Sequence, residues 1–360
     1  MSDVPSSNSL LDDFLAEDNI MDDVVSEVTD FLKASVEAIH EVASDHRLRP
    51  RKYIRRPREE IQQKLYDDYF SENPLYPTSI FRRRYRMSRP LFLHIVEELG
   101  KWSDYFTTRI DCTSRQGLTP LQKCTAAIRQ LANGSAADHL DEYLKIGDTT
   151  ALEALKKIVE GIIAVFSENY LRRPTVEDIE RLLKVGESRG FPGMLGSIDC
   201  MHWQWERCPV GWKGQFTRGD QKVPTLILEA VASHDLWIWH AFFGVAGSNN
   251  DINVLQQSSL FIRELKGQAL RVQYTVNGNQ YNQGYYLADG IYPEWAIFVK
   301  SISMPINDKD QEFANHQEGK RKDIERAFGV LRRRWCILKR PARLHDKNMG
   351  LVKNIWIFLN

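Results

Sequence analysis

Asp199 stands in the stretch GSIDCMHW, Gly196 to Trp203, crowded by Ile198, Cys200, Met201 and Trp203. A mostly apolar run of this length reads as a buried strand, where an unpaired carboxylate is costly enough to need a partner. Two kinds of partner would serve. One is a cation, supplied by a metal ion or by Arg or Lys, and the other is a hydrogen-bond network beside a turn. Zinc is poorly served by Cys200, His202 and Cys208, because a C-x-H-x5-C set lacks a fourth ligand in any usual spacing. His202 and Trp203 read better as support for the strand that carries Asp199. Further acids sit at element boundaries: Asp251 behind Ser248, Asn249 and Asn250, Asp289 at the end of YYLAD, and Glu325 at the edge of an apolar helical face. Asp251 has a ready structural explanation as the cap of its helix.

These residues need elements to position them. From Phe191 onward the pattern turns from helical to strand-like. After the Asp199 strand come Thr225–Ser233 and Leu236–Gly247, joined by His234 and Asp235 as a hairpin turn. A helix follows from the Asn-rich start at 248 through Leu255, Leu260 and Leu265. Then a loop rich in Asn and Gly, 277–284, leads to the short strand ending at Asp289 and to a further strand over Trp295–Val299. The closing long helix carries Ile324, Ala327, Phe328, Leu331, Trp335 and Leu338 at intervals of three and four. Acids on the first strand, at the end of the fourth and on the closing helix match the order of a ribonuclease H-like fold. Ninety residues separate Asp199 from Asp289, and thirty-five lie between Asp289 and Glu325.

Upstream the chain is helical from about Glu59 to Tyr170, punctuated by Pro74, Pro77, Pro90 and Pro120. Phe81 to Arg89 sets five arginines, Arg82, Arg83 and Arg84 among them, into nine residues interleaved with Phe81 and Tyr85, a composition suited to phosphates. Leu118–Leu131 is one helix, Ser135 can cap a second through Leu144, and Thr149–Phe166 follows a turn at Gly147. That is a helix-turn-helix pattern whose last helix presents Thr149, Thr150, Glu153, Lys156 and Lys157. A paired helical hairpin that binds nothing has the same shape. On the closing helix, Arg326, Arg332, Arg333 and Arg334 follow Lys320, Arg321 and Lys322. Arg332 lies two turns beyond Glu325 on nearly the same side, where it can meet a DNA phosphate.

Charge and cysteine usage narrow the class. The chain has 48 basic and 48 acidic residues, but residues 1–45 hold twelve acids and only Lys33, leaving 47 bases against 36 acids in the rest. Apolar residues from Met21 to Val42 recur at helical spacing, so the acidic leader reads as an amphipathic helix. Arg47 to Arg58, with seven basic residues in twelve, suits a solvated linker, a nuclear-import signal or a phosphate-contacting segment. Five widely spaced cysteines argue for reduced thiols in a cytosolic or nuclear setting. No apolar run reaches the roughly 18 to 20 residues of a membrane span, so a membrane role is not expected.

Taken in order, IDCMHW, GSNNDINVL, YYLADGIYP and DIERAFGVLRRRW resemble the PIF/Harbinger transposases and their domesticated relatives, within the DDE superfamily. The resemblance spans about residues 190–344, and FRRRYRMSRPLF extends it to about residue 80. It implies metal-binding carboxylates at Asp199, Asp251, Asp289 and Glu325. Strand order favours Asp199, Asp289 and Glu325 as the catalytic triad, while the motif around Asp251 is equally characteristic of the family. Two divalent ions about 3.5 to 4 Å apart supply a nucleophile and stabilise the leaving oxygen. Mg2+ is the expected ion and Mn2+ a substitute. The expected activity is DNA cleavage by water attack. In a complete transposase the freed 3'-hydroxyl would then attack target DNA. The alternative is a domesticated nuclear protein that binds DNA, chromatin or a partner without cutting. DNA, a Myb-like DNA-binding partner protein and a second copy of the chain are the expected partners, with residence in the nucleus and some in the cytoplasm.

The expected architecture is α/β. It comprises an acidic leader (1–46), a basic linker and helix (47–80), a helical, helix-turn-helix-like region (81–175) and a ribonuclease H-like mixed-sheet nuclease domain (190–345). Residues 346–360 form an apolar C-terminal segment, expected to be a shortened helix because family members usually continue further.

Overall fold

The computed structural model describes Asp30, Lys33 and residues 56–112, 114–170, 172–260 and 271–343. The chain divides into two compact units, Met1–Arg55 and Arg56–Asn360. Of the first, Asp30 and Lys33 are helical and form an exposed ion pair. The rest of the acidic leader, most of the basic run, the helix expected through Leu265 beyond residue 260, and residues 346–360 lie outside the described residues.

The second unit opens with helices α1 (Arg58–Tyr69), α2 (Thr78–Tyr85) and α3 (Arg89–Trp102), then α4 (Pro120–Asn133), α5 (His139–Leu144), α6 (Asp148–Tyr170) and α7 (Val176–Ser188). Local chemistry sets their ends. Thr119 and Gln122 form a reciprocal capping box at the start of α4, and Thr175 and Asp178 do the same for α7. Gly134 stops α4 in the left-handed conformation that costs glycine least. Ser135 does not cap α5. That short helix begins at His139 behind Asp138, whose side chain makes no cap bond. Phe81 and Tyr85, read from sequence as interleaved with the arginines, turn inward from α2. Their rings stack at 4.1 Å in a fully buried cluster with Tyr69 and Phe92.

The sheet follows: β1 (Met194–Gln204), helix α8 (Val210–Phe216), β2 (Thr225–Ala232), β3 (Ile238–Ala246), helix α9 (Asp251–Gln257), the hairpin β4 (Arg271–Val276) and β5 (Asn279–Gln283), then β6 (Tyr285–Leu287) and β7 (Phe298–Val299). Five strands form one mixed sheet in the order β3-β2-β1-β6-β7. β2 is antiparallel to both β1 and β3, while β6 runs parallel to β1 and β7 parallel to β6. Helices α10 (Asp308–Arg321) and α11 (Asp323–Arg334) close the unit.

Strand alternation sorts the buried residues into two layers. Trp203, Leu226, Leu228 and Ala230 share a core with Ile324, Ala327, Phe328 and Leu331 of α11. On the other face Ile198 and Val231 meet Leu255 of α9 and Tyr292, and Ile227 meets Val254. The protein is thus a mixed α/β fold built on a five-stranded mixed sheet. Among the described residues no helix is long and apolar enough to cross a membrane, and all five cysteines are free.

Three elements differ from the sequence expectation. The Asn/Gly-rich loop is the β4–β5 hairpin, with Asn277 and Gly278 both at positive φ (50° and 82°), the turn that matches strand twist. The 308–321 segment is a helix of its own, begun by Asn307, whose side chain accepts the Asp310 N–H. The closing helix stops at Arg334, and Cys336–Lys339 continue as a 3-10 turn.

Candidate carboxylate site

β1 outruns β6. Their pairing covers only Met194–Ser197 against Tyr285–Leu287, so from Asp199 onward β1 lies beyond the last paired residue. There Asp199 to Gln204 line a cleft of about 650 Å³, together with Asp251 from the start of α9 and Glu325 from α11. Three carboxylates far apart in sequence therefore share one cleft because a short strand leaves a gap and two helices fill its sides.

Asp251 reaches the cleft because another residue caps its helix. Asn250 accepts the Asn253 N–H at 2.9 Å, so the Asp251 carboxylate is not used as the cap and lines the cleft beside Cys200. Burial raises the Asp251 carboxyl above its ordinary value, and the charges of Asp289 and Glu229 add to this. Asp289 itself is exposed at the end of β6, where its Oδ1 accepts the Gly290 N–H at 2.7 Å. It stands near enough to act on Asp251 by charge but does not line the cleft.

Burial pushes the Asp199 carboxyl up to about 6. The Cys200 N–H, 2.8 Å from Oδ1, and the Arg321 guanidinium oppose that rise, while Asp251 and Glu325 reinforce it. Arg321 Nη1 lies 3.2 Å from Glu325 Oε1 and 3.8 Å from Asp199 Oδ2. One guanidinium thus spans two of the three cleft carboxylates. Among the described residues no three His, Cys, Asp or Glu side chains are drawn into a ready-made metal cage. The donor chemistry nonetheless fits a hard divalent cation: the cleft offers carboxylate oxygens whose mutual repulsion a single arginine only partly offsets.

The supports of β1 behave as structural residues. His202 Nδ1 lies 2.8 Å from Thr225 Oγ1 on the neighbouring strand, and burial lowers its pKa to about 4, so it is neutral at neutral pH. Trp203 Nε1 donates to the Arg340 carbonyl at 2.8 Å, and Trp205 bridges to Ala342, which fastens the 338–342 segment along the cleft. Cys200 Sγ is 3.7 Å from Tyr292 Oη and Cys208 Sγ is 3.7 Å from the Pro209 carbonyl, so these thiols and His202 engage separate partners.

The rim is basic. Arg332 lines the cleft with Arg218, Lys339 and Arg340. Arg333 is exposed, and Arg326 is exposed and pairs with Asp323 at 3.0 Å. On α2, Arg82 and Arg83 are exposed, whereas Arg84 turns inward, its guanidinium 4.1 Å from the centre of the Tyr76 ring. Lys156 and Lys157 of α6 both reach toward Glu160, at 4.0 and 3.0 Å. Sequence reasoning passed over Arg218, Lys339 and Arg340, which reach the cleft only through the tertiary fold.

It also passed over Glu229. This residue pairs across the sheet with Cys200, is wholly buried, and has no hydrogen bond to either carboxylate oxygen, with His240 Nε2 3.5 Å away. The signal was present, since a lone acid inside TLILEAVAS carries the same warning as Asp199 inside IDCMHW.

The family model described as a plant transposon protein matches residues 168–357, just over half of the chain, and so covers β1 through α11 with all four sequence-singled acids. A model described as a domain of unknown function matches residues 62–100, from within α1 to within α3. No curated protein and no solved structure matches the chain.

Proposed function

The chain belongs to the plant transposon protein family, and from that premise we propose that it is a divalent-metal-dependent DNA endonuclease of transposase descent, of the PIF/Harbinger type. The observation that carries this reading is the convergence of Asp199, Asp251 and Glu325, from a strand and two helices, on one cleft with an arginine-rich rim. The strand arrangement supports a ribonuclease H-like fold: three antiparallel strands, a helix, two strands parallel to the first and a closing helix.

In this reading Asp199, Asp251 and Glu325 hold the metal, with Asp289 beside Asp251. Mg2+, or Mn2+ in its place, would supply charge stabilisation and an activated water for phosphodiester hydrolysis. Arg332, Arg218 and Arg340 grip the phosphates on either side of the scissile bond, and their fixed charges hold the backbone in the cleft. Trp203 keeps the Arg340 segment in place through its bond to that residue's carbonyl. Arg82, Arg83, Lys156, Lys157, Arg326 and Arg333 contribute further along the duplex. Helices α4 to α6 serve as a helix-turn-helix-like contact region, with recognition of DNA ends shared with a Myb-like partner in the nucleus.

Arg321 favours a second reading. A guanidinium already spanning Asp199 and Glu325 would suit a domesticated protein that retains the fold and binds DNA without cutting it.

Cleavage of supercoiled plasmid by the full chain with Mg2+ or Mn2+, beside Asp199→Ala and Glu325→Ala and with a Myb-like partner added, separates the two. Nicking that disappears in both variants is expected. Intact plasmid in every lane, with DNA binding retained, would replace the nuclease reading by the binding one.

A further inference from the structure

Arg321 is held in its position by the joint between the last two helices. α10 ends at Arg321, Lys322 alone intervenes, and α11 begins at Asp323. Both sides of the joint are tied down. Ser197 Oγ donates to the Lys320 carbonyl at 3.4 Å, and the buried Asp323 carboxylate takes Arg189 at 2.6 Å. The Arg321 side chain is only 16% exposed, so its place between Asp199 and Glu325 is not that of a free surface side chain. Among the described residues it is the cation within ion-pair distance of either carboxylate.

We infer that Arg321 is a positioning residue of the carboxylate centre: a built-in cation that holds Asp199 and Glu325 together and that a divalent ion must displace in order to bind them. The inference rests on the metal-centre reading above. Two carboxylates facing one cleft repel each other, and a guanidinium between them offsets that repulsion with a single fixed charge. Arginine does not lose its proton in proteins, so no accessible pH removes the competitor. A dication entering the cleft meets the same oxygens and is repelled by the guanidinium that holds them. The metal affinity of the protein is therefore set below that of an unopposed carboxylate site, and the charge at position 321 is what sets it.

The charge, not the shape, is the testable element. Mn2+ titrated calorimetrically into the full chain without DNA should bind Arg321→Gln about tenfold more tightly than wild type, since each tenfold is only about 1.4 kcal/mol. Arg321→Lys, which keeps the charge, should stay near the wild-type affinity. A merely structural role predicts the opposite order, with Gln disturbing the site more than Lys and weakening Mn2+ binding. Equal or weaker binding by Arg321→Gln, in protein that melts as cooperatively as wild type, would overturn the inference. Asp199→Asn run alongside separates the two claims. Loss of Mn2+ binding in that variant keeps the carboxylate centre whatever Arg321 does, whereas unchanged binding would remove the centre itself, and this inference with it.

Discussion

Replacing Asp199 by Asn should make the protein more stable while removing its proposed function. Burial raises the Asp199 carboxyl from its ordinary 3.8 to about 6. The folded protein thus holds this proton more tightly than the unfolded chain does. The corresponding stability is fully present below the unfolded value and is lost as pH rises through about 6. At about 1.36 kcal/mol per pH unit, ionised Asp199 costs the wild-type fold about 3 kcal/mol at pH 7.5 and about half that at pH 5. The side chain is 19% exposed, so solvent screening removes little of this. Asn has nearly the same shape and carries no charge. In urea unfolding with EDTA present, Asp199→Asn should exceed wild type by about 2 to 3 kcal/mol at pH 7.5, the gap roughly halving at pH 5. Saturating Mg2+ should narrow or reverse the gap, because only wild type gains from binding it. A variant less stable than wild type at pH 7.5, or a gap that ignores pH, would refute the reasoning.

Other perturbations test the frame around the cleft. Arg189→Ala leaves Asp323, whose side chain is 2% exposed, with only the exposed Arg326 as partner, and should cost about 3 kcal/mol in chemical denaturation. A Cβ at Gly196 would lie 2.6 Å from the Ala232 carbonyl oxygen, so Gly196→Ala must push β1 from β2 and should cost about 1 to 3 kcal/mol, read as a lower melting temperature. Arg332→Ala should weaken duplex binding at every sequence and reduce the steepness of the log affinity against log salt plot by about 0.9, measured by fluorescence anisotropy.

Much of the sheet was legible because its strands carry their own signals. Asp199 sits in β1 as the apolar run implied, and the turn at His234 and Asp235 joins β2 to β3. The helix boundaries at Asn133 and Asp148 follow from Gly134 and Gly147, which mark turns in any context. The β4–β5 hairpin was readable in principle, since Asn277-Gly278 is a strong two-residue turn signal. β5 is exposed throughout and gave no such signal, whereas β4 alternates Val272, Tyr274 and Val276 with polar residues, a strand pattern that the Asn- and Gly-rich loop reading overlooked. Arginine density says nothing of which way Phe81 and Tyr85 point, although their spacing of four is that of a buried stripe, and both are buried. Asp251 is grouped with the other acids by the family resemblance alone; its own residues leave it equally a helix cap, because which of two adjacent residues caps a helix, Asn250 or Asp251, depends on backbone angles that both permit. The hold of Arg321 on two carboxylates depends on the break at Lys322, which falls inside the basic run Lys320–Lys322 where neither Gly nor Pro marks it.

The central claim is that Asp199, Asp251 and Glu325 together bind the catalytic cation. The direct measurement is anomalous diffraction from crystals of the full chain grown with Mn2+. The account predicts Mn2+ peaks within coordination distance of the Asp199 carboxylate and of Asp251 or Glu325, with the Arg321 guanidinium moved off Asp199. Mn2+ bound only elsewhere, with Arg321 still spanning Asp199 and Glu325, would contradict it.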